Sequence, residues 1–371
     1  MAQPATARKA EDATSIAGRL LAWYDRHHRD LPWRTPPSAW AKGARPDPYH
    51  VWLSEIMLQQ TTVEAVKPFF RRFLENWPTV GDLAAASQDD VMKAWAGLGY
   101  YSRARNLKKC ADAVAALPDH RFPDTEDGLR ALPGIGAYTA AAIAAIAFDR
   151  PAAVVDGNVE RVMTRLYAIA TPLPEAKVEV RARLEPLVPP ARPGDFAQAM
   201  MDLGATICTP KRPKCMLCPL NENCRAVLQG DPEFYPVKAA KTDKPLRLGA
   251  AYVAVRKPDG AVLLAKRPDK GLLGGMSGPP TTNWTSRQDG ATGPAAAPFA
   301  ADWRPSGTVS HVFTHFELRL DVFLAEADGK TTPHEMFWSM PEDLPGEALP
   351  TVMKKAIEAA LPGATKRHRS N

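Results

Sequence analysis

The sequence predicts two folded parts of different class, an all-α body followed by a smaller α+β domain. Three observations carry this. Over about 17–228, apolar residues recur at helical spacing in runs separated by Pro- and Gly-rich breakers. Over 230–247 that periodicity gives way to prolines and basic residues, the composition of a linker. Beyond it the apolar pattern turns to strand-like alternation.

The elements follow in order. Residues 1–16 mix charge and alanine without an apolar stripe and are expected to be disordered. Helical spacing then covers 52–74, 89–98, 104–117, 138–148, 159–169 and 196–207. These runs place a helical region at 17–229, a linker at 230–247, a second domain at 248–362 and a basic tail at 363–371. In the second domain, 250–255 and 261–265 flank a Pro258-Asp259-Gly260 turn and read as a hairpin. Residues 318–324 read as a further strand, 352–361 as a closing helix, and the Pro- and Thr-rich stretch 279–305 as a mobile loop.

Composition narrows the class of function. Hydrophobic residues are 45% and charged residues 24%, as in an ordinary soluble protein. The longest apolar run, 137–148, is too short to cross a bilayer, and the first residues lack the apolar core of a secretory signal. A cytoplasmic protein with no membrane partner is expected. The net charge is +6, and 204–248 holds eight Lys or Arg against four Asp or Glu, a local excess suited to a polyanion.

Cys208, Cys215, Cys218 and Cys224 are four of the five cysteines in the chain. In a reducing compartment such a cluster points to metal rather than to disulfides. Four thiolates on short loops suit zinc or an iron–sulfur cube. No histidine lies between His120 and His311, so local Cys/His ligation is excluded. The C-x6-C-x2-C-x5-C spacing resembles the motif of the endonuclease III superfamily of DNA glycosylases, which implies a [4Fe-4S] cluster. In that case Lys211, Arg212 and Lys214 approach DNA phosphates. Cys110, alone in a helical run, reads as a buried small side chain.

Leu132-Pro133-Gly134-Ile135-Gly136 joins two helical runs. Gly134 and Gly136 permit positive φ and close approach of another backbone, and the amides opening the next helix can face an anion. A plain helix–helix turn explains the stretch about as well. Beside the cysteine motif it resembles the helix–hairpin–helix of base-excision glycosylases, which holds a DNA phosphate without reading sequence. The resemblance implies a helix–hairpin–helix subdomain at about 40–155, with 17–39 and 156–229 forming an N-terminal helix and iron–sulfur subdomain.

Two acids stand out. Glu55 sits among apolar residues, where burial would raise its pKa and fit it to protonate a leaving base. Asp156, followed by Gly157 and Asn158, reads both as a helix N-cap and as a carboxylate able to stabilise an oxocarbenium-like sugar. The run 52–61, WLSEIMLQQT, closely resembles the segment of MutY-type adenine DNA glycosylases. The resemblance covers about 17–360. It implies that Glu55 protonates adenine, that Gln59, Gln60 and Thr61 enter the duplex, and that Tyr138 and Asn158 support Asp156.

Position 138 discriminates between chemistries. Endonuclease III-type pyrimidine glycosylase/lyases carry a Schiff-base lysine there; Tyr138 offers no amine, so water-dependent, monofunctional hydrolysis is expected. The alternatives are a pyrimidine glycosylase/lyase and a non-catalytic iron–sulfur DNA-binding protein. The MutY resemblance further implies an adenine pocket lined by Leu31, Trp33, Arg34 and Gln198, with Trp33 equally readable as core. Leu98 and Tyr100, in Gly-Leu-Gly-Tyr-Tyr, resemble a wedge beside 8-oxoguanine, core packing being the alternative for Tyr100. The C-terminal part resembles the family's MutT-like module. It lacks a Glu-rich metal-binding helix, so it reads as a lesion-binding module in which Phe313, Thr314 and His315 take the place of a Phe-Ser-His loop. Thr314, the aromatic-free stretch 273–278 and the insertion 35–46 depart from the family pattern. The expected partner of this monomer is double-stranded DNA containing A·8-oxoguanine or A·G mispairs, at the bacterial nucleoid.

Overall fold

A computed structural model describes residues 5–40, 42–238, 243–268, 271–329 and 332–366. The principal helices are Ala5–His27 (α1), Pro48–Leu58 (α2), Val63–Asn76 (α3), Gln88–Trp95 (α4), Ser102–Ala115 (α5), Glu126–Arg130 (α6), Ala137–Phe148 (α7), Gly157–Tyr167 (α8), Pro193–Thr206 (α9) and Thr351–Ala360 (α10). The strands are Leu246–Arg256 (β1), Val262–Lys266 (β2), Ser277–Gly278 (β3), Arg304–Val312 (β4), Glu317–Ala327 (β5) and Met336–Ser339 (β6). Packing divides the chain into two compact units: Met1–Ala84 with Lys109–Lys241, and Ala85–Lys108 with Thr242–Asn371.

In the first unit local chemistry sets the helix ends. Asp47 caps α2, accepting from the Tyr49 amide at 2.8 Å, with Pro48 at the first helical position. The helical pattern read over 52–74 breaks in two. Helix α2 ends at Leu58, Gln60 turns to φ 55°, and Thr62 caps α3. Apolar residues continue through this break, because α2 is buried nearly all round and α3 buries Val66, Phe70 and Phe73, so periodicity alone misses it. Helix α1 starts at Ala5, inside the stretch expected to be disordered. Alanines at 5, 7, 10 and 13 favour helix regardless of any apolar stripe. The 35–46 insertion holds a short helix, Pro37–Trp40, with the Arg45 guanidinium 4.1 Å from the Trp40 ring centroid.

Helix α9 is the centre of this unit, and two glycines let it pack closely. A Cβ at Gly194 would stand 2.5 Å from the Ala145 carbonyl oxygen of α7. A Cβ at Gly204 would stand 2.5 Å from the Asn158 Cβ of α8. Only glycine admits both approaches.

The second unit is a mixed six-stranded sheet ordered β3-β2-β1-β5-β4, with β6 also paired to β2. Strands β1 and β5 run parallel from Leu246↔Glu317 to Arg256↔Ala327. Alternation along β1 feeds two cores. Ala251 and Val253 pack with Val352, Met353, Ala356 and Ile357 of α10, while Ala250, Tyr252 and Ala254 pack with Trp303 and Phe323 on the other face. The 279–305 stretch, expected to be mobile, is anchored instead, with Trp284 2% and Trp303 8% exposed. Large aromatics bury enough surface to pin an irregular segment. Sequence boundaries put 85–108 with the helical region, yet it packs with the sheet: Lys266 Nζ meets Asp89 Oδ1 at 2.5 Å, and Arg105 donates to the Gly274 carbonyl.

Candidate active site

A cleft of about 480 Å3 opens in the first unit, within the range of small-ligand pockets. Helix α2 supplies one wall. Glu55 is 6% exposed, because three turns of α2 are buried almost on every side. Burial pushes the Glu55 carboxyl up to about 7; the Tyr138 hydroxyl and the Arg34 cation pull it down, and the Asp156 charge raises it. Tyr138 Oη donates to Glu55 Oε2 at 2.6 Å. Burial, followed by the charges of Glu55 and Asp156, lifts the Tyr138 phenol well above its ordinary range, so it remains a donor.

Asp156 caps α8: its Oδ1 accepts from the Val159 amide at 2.7 Å. Its Oδ2 accepts from Asn158 Nδ2 at 2.9 Å. Asn158 therefore bonds Asp156, whereas Tyr138, grouped with it on the resemblance, bonds Glu55. Tyr138 lies on the first turn of α7, whose axis carries its hydroxyl into the cleft against α2. Leu31, Trp33, Arg34, Gln59, Gln60, Thr61 and Gln198 also line this cleft. Gln59 Nε2 donates to Thr139 Oγ1 at 3.3 Å. Trp33 is both wall and core, edge-on to Phe70 with centroids 5.4 Å apart.

Asp202 escapes sequence reading. Its side chain is wholly buried, with Oδ1 2.6 Å from Arg29 Nε and Oδ2 2.7 Å from Arg34 Nη1. Both arginines face the cleft. An acid four residues beyond Gln198 on the same helix was the available signal.

The hairpin joins α6 to α7. Gly134 has φ 76°. Gly136 caps α7 without a side chain, and a Cβ there would meet nothing within 4 Å. The cysteine loop is tied to α8 by two arginines that the sequence reading passed over. Arg165, 2% exposed, donates to the carbonyls of Thr209 at 2.7 Å and Pro210 at 3.0 Å and stands 3.3 Å from Cys208 Sγ. Arg161 Nε donates to the Cys208 carbonyl at 2.7 Å.

Cys208, Cys215, Cys218 and Cys224 form no disulfide; burial raises the Cys215, Cys218 and Cys224 thiols, and the nearby Cys208 charge raises each further. Among the described residues no group is gathered tightly enough for a single-ion site. A multi-iron cluster, with one thiolate on each iron, accepts the wider spacing. The four-sulfur donor set, with Arg165 beside it, fits that group. Lys211, Arg212 and Lys214 are exposed around it.

Tyr100, Phe313, Thr314 and His315 share a different cleft, of about 530 Å3, within the second unit. Tyr100 is 48% exposed with φ 49°. Arg103 holds its loop, donating to the Gly99 carbonyl at 3.1 Å. Leu98, expected as part of the wedge, is 6% exposed; it turns into the core because Gly97 and Gly99 reverse the chain on both sides of it. Phe313 stacks on Phe316, with centroids 4.7 Å apart.

A buried acid beside an N-cap aspartate, next to a glycine hairpin and a four-cysteine loop, defines a base-excision DNA glycosylase of the helix–hairpin–helix class. Family models agree: residues 53–190 match the HhH-GPD superfamily base excision DNA repair protein, 208–224 the iron-sulfur binding domain of endonuclease III, and 251–359 a NUDIX domain. The solved structure of a thermostable thymine-DNA glycosylase aligns with TM-score 0.51 and 30% identity, covering 61% of this chain and 100% of that one. The adenine DNA glycosylase of Homo sapiens is 36% identical, over 94% of this chain and 74% of its own. That of Schizosaccharomyces pombe is 32% identical, over 92% and 88%. The chain belongs to the adenine DNA glycosylases. It removes adenine from DNA in base-excision repair and carries a [4Fe-4S] cluster, the iron–sulfur family model covering residues 208–224.

Proposed function

We propose that this glycosylase is monofunctional and acts as a monomer on adenine opposite 8-oxoguanine or guanine in duplex DNA. The flipped base enters the Glu55 cleft between Leu31, Trp33, Arg34 and Gln198. Glu55 gives its proton to adenine N7 as the C1′–N9 bond breaks. The Asp156 carboxylate stabilises the cationic sugar, and water adds at C1′, directly or after a transient adduct with Asp156. The proton lost by that water returns to a carboxylate. When bound, the cluster orders the 209–214 loop, from which Lys211, Arg212 and Lys214 meet phosphates. The amides at the start of α7, beyond Gly134 and Gly136, hold another phosphate. Gln59, Gln60 and Thr61 fill the space left in the duplex. Tyr100, Phe313, Thr314 and His315 receive the opposite base in the second unit.

One observation carries the reading: the 2.6 Å bond from Tyr138 to the buried Glu55. An endonuclease III-type lyase needs an amine at that position. The chain instead spends it on holding the acid. Single-turnover excision should be fast for adenine opposite 8-oxoguanine, slower opposite guanine and absent opposite thymine. Glu55→Gln should abolish it. Efficient borohydride trapping, or undiminished adenine release by Glu55→Gln, refutes the reading. No described helix is long and apolar enough to cross a membrane; action on the bacterial nucleoid, in the cytoplasm, is part of the same proposal.

A further inference from the structure

The second unit has a further cleft, of about 650 Å3, that no role above uses. It shares Gly271, Leu272 and Ser286 with the cleft of Phe313, so the two form one continuous groove. Neither is lined by an Asp or Glu among the described residues. Arg267 stands in its wall. Its Cζ lies 4.9 Å from the Trp284 centroid, and Trp284 is 6.2 Å, ring to ring, from Phe313. Arg267 is half-buried and, among the described residues, makes only long bonds, Nε to the Leu272 carbonyl at 3.3 Å and Nη1 to Thr281 Oγ1 at 3.4 Å. No carboxylate pairs with it among the described residues. Burial lowers its pKa with no opposing charge. A guanidinium taken partly out of water without an anion is costly, and a stacked, planar fork is the geometry that receives phosphate oxygens.

We propose that Arg267 binds a phosphodiester flanking the base held in the Phe313 cleft, so that the groove accepts a nucleotide of the lesion strand rather than a base alone. The inference rests on reading that cleft as the 8-oxoguanine site. Ser286, common to both halves, and Thr281 add hydroxyl donors along the path. The anion also supplies the counter-charge that no lining Asp or Glu provides among the described residues.

The test uses the cluster-loaded full chain and a duplex with 8-oxoguanine opposite 2′-fluoro-adenosine, whose sugar resists cationic cleavage. Arg267→Met keeps the stacked bulk and removes the charge. Its affinity should fall about five- to thirtyfold, and the slope of log affinity against log salt should flatten by about 0.9. A neutral methylphosphonate at one linkage beside 8-oxoguanine should reproduce the loss in the parent protein and add nothing in Arg267→Met. An unchanged slope together with additive losses overturns the inference. If 8-oxo-dGMP binds more tightly than its nucleoside, only in the parent, while no methylphosphonate matters, the site takes a free phosphate and the duplex assignment is overturned. Equal affinity of the parent protein for 8-oxoguanine and guanine duplexes would instead remove the reading of the Phe313 cleft.

Discussion

Replacing Tyr138 with Phe tests how the site holds its proton. The hydroxyl donates to Glu55 at 2.6 Å and favours the ionised carboxylate, against the larger effect of burial. Asp156 also faces this acid and raises it, and Arg34 lowers it. A hydrogen bond to a charged group contributes about 1.5–3 kcal/mol, and 1.36 kcal/mol is one pKa unit, so losing it should raise the Glu55 pKa by about one to two units. Phe fills the same space, so the carboxylate is left without a donor rather than rehydrated.

The sign matters. The reacting form is the protonated acid, so the excision rate falls as pH rises through the Glu55 pKa of about 7. At pH 9 about 1% of the parent acid holds its proton, against about 9% in a variant whose pKa lies one unit higher. Single-turnover excision from pH 5.5 to 9.5 should therefore show the alkaline limb of Tyr138→Phe displaced upward, even if its plateau is lower through poorer positioning. A limb that stays put, or moves down, refutes the account of Tyr138 as donor to ionised Glu55.

Three further outcomes follow from the same geometry. Glu55→Gln should be inactive yet more stable than the parent at pH 8, by up to about 3 kcal/mol and not at pH 4. The parent's raised folded pKa favours folding below the ordinary carboxylate range, and that contribution is lost as pH rises through about 7; urea unfolding at the two pH values measures it. Asp202→Asn leaves Arg34 buried without its counter-charge, so stability should fall by about 3 kcal/mol. The alkaline limb should also move down, because Arg34 then acts on Glu55 unopposed; an unmoved limb would make Asp202 merely structural. Gly204→Ala forces a Cβ to 2.5 Å from that of Asn158. It should cost about 1–3 kcal/mol and slow excision, while Gly136→Ala, facing open space, should leave the melting temperature nearly unchanged.

Much of this was legible in the sequence because the chemistry is local. Four cysteines lie within seventeen residues, and a glycine hairpin announces itself by what it omits. Glu55 is conspicuous because an acid among Trp52, Leu53, Ile56 and Met57 needs a reason. The break after Leu58 was not legible, since apolar residues continue from α2 into α3 and the turn depends on a single left-handed residue, Gln60. Strand β4 was hidden by Pro305 and by polar residues on its exposed face. The burial of Leu98 depends on two flanking glycines whose φ angles no periodicity encodes. Arg161 and Arg165 carry no local signal, because they hold the cysteine loop from 43 to 47 residues away in sequence.

What sequence reading lacked most was the role of α9. It showed a helix near 196–207 and nothing of its neighbours. Positions 194, 198 and 202 recur every four residues and so form one stripe along that helix. The first is a glycine that admits the backbone of α7, the second lines the base pocket, and the third fixes Arg29 and Arg34. Gly204, just beyond, admits Asn158 and with it the cap that orients Asp156. One helix therefore sets the separation between the hairpin, the arginine wall and the second carboxylate. A small shift of α9 moves all three together, so substitutions along this stripe should change pocket geometry and proton affinity jointly.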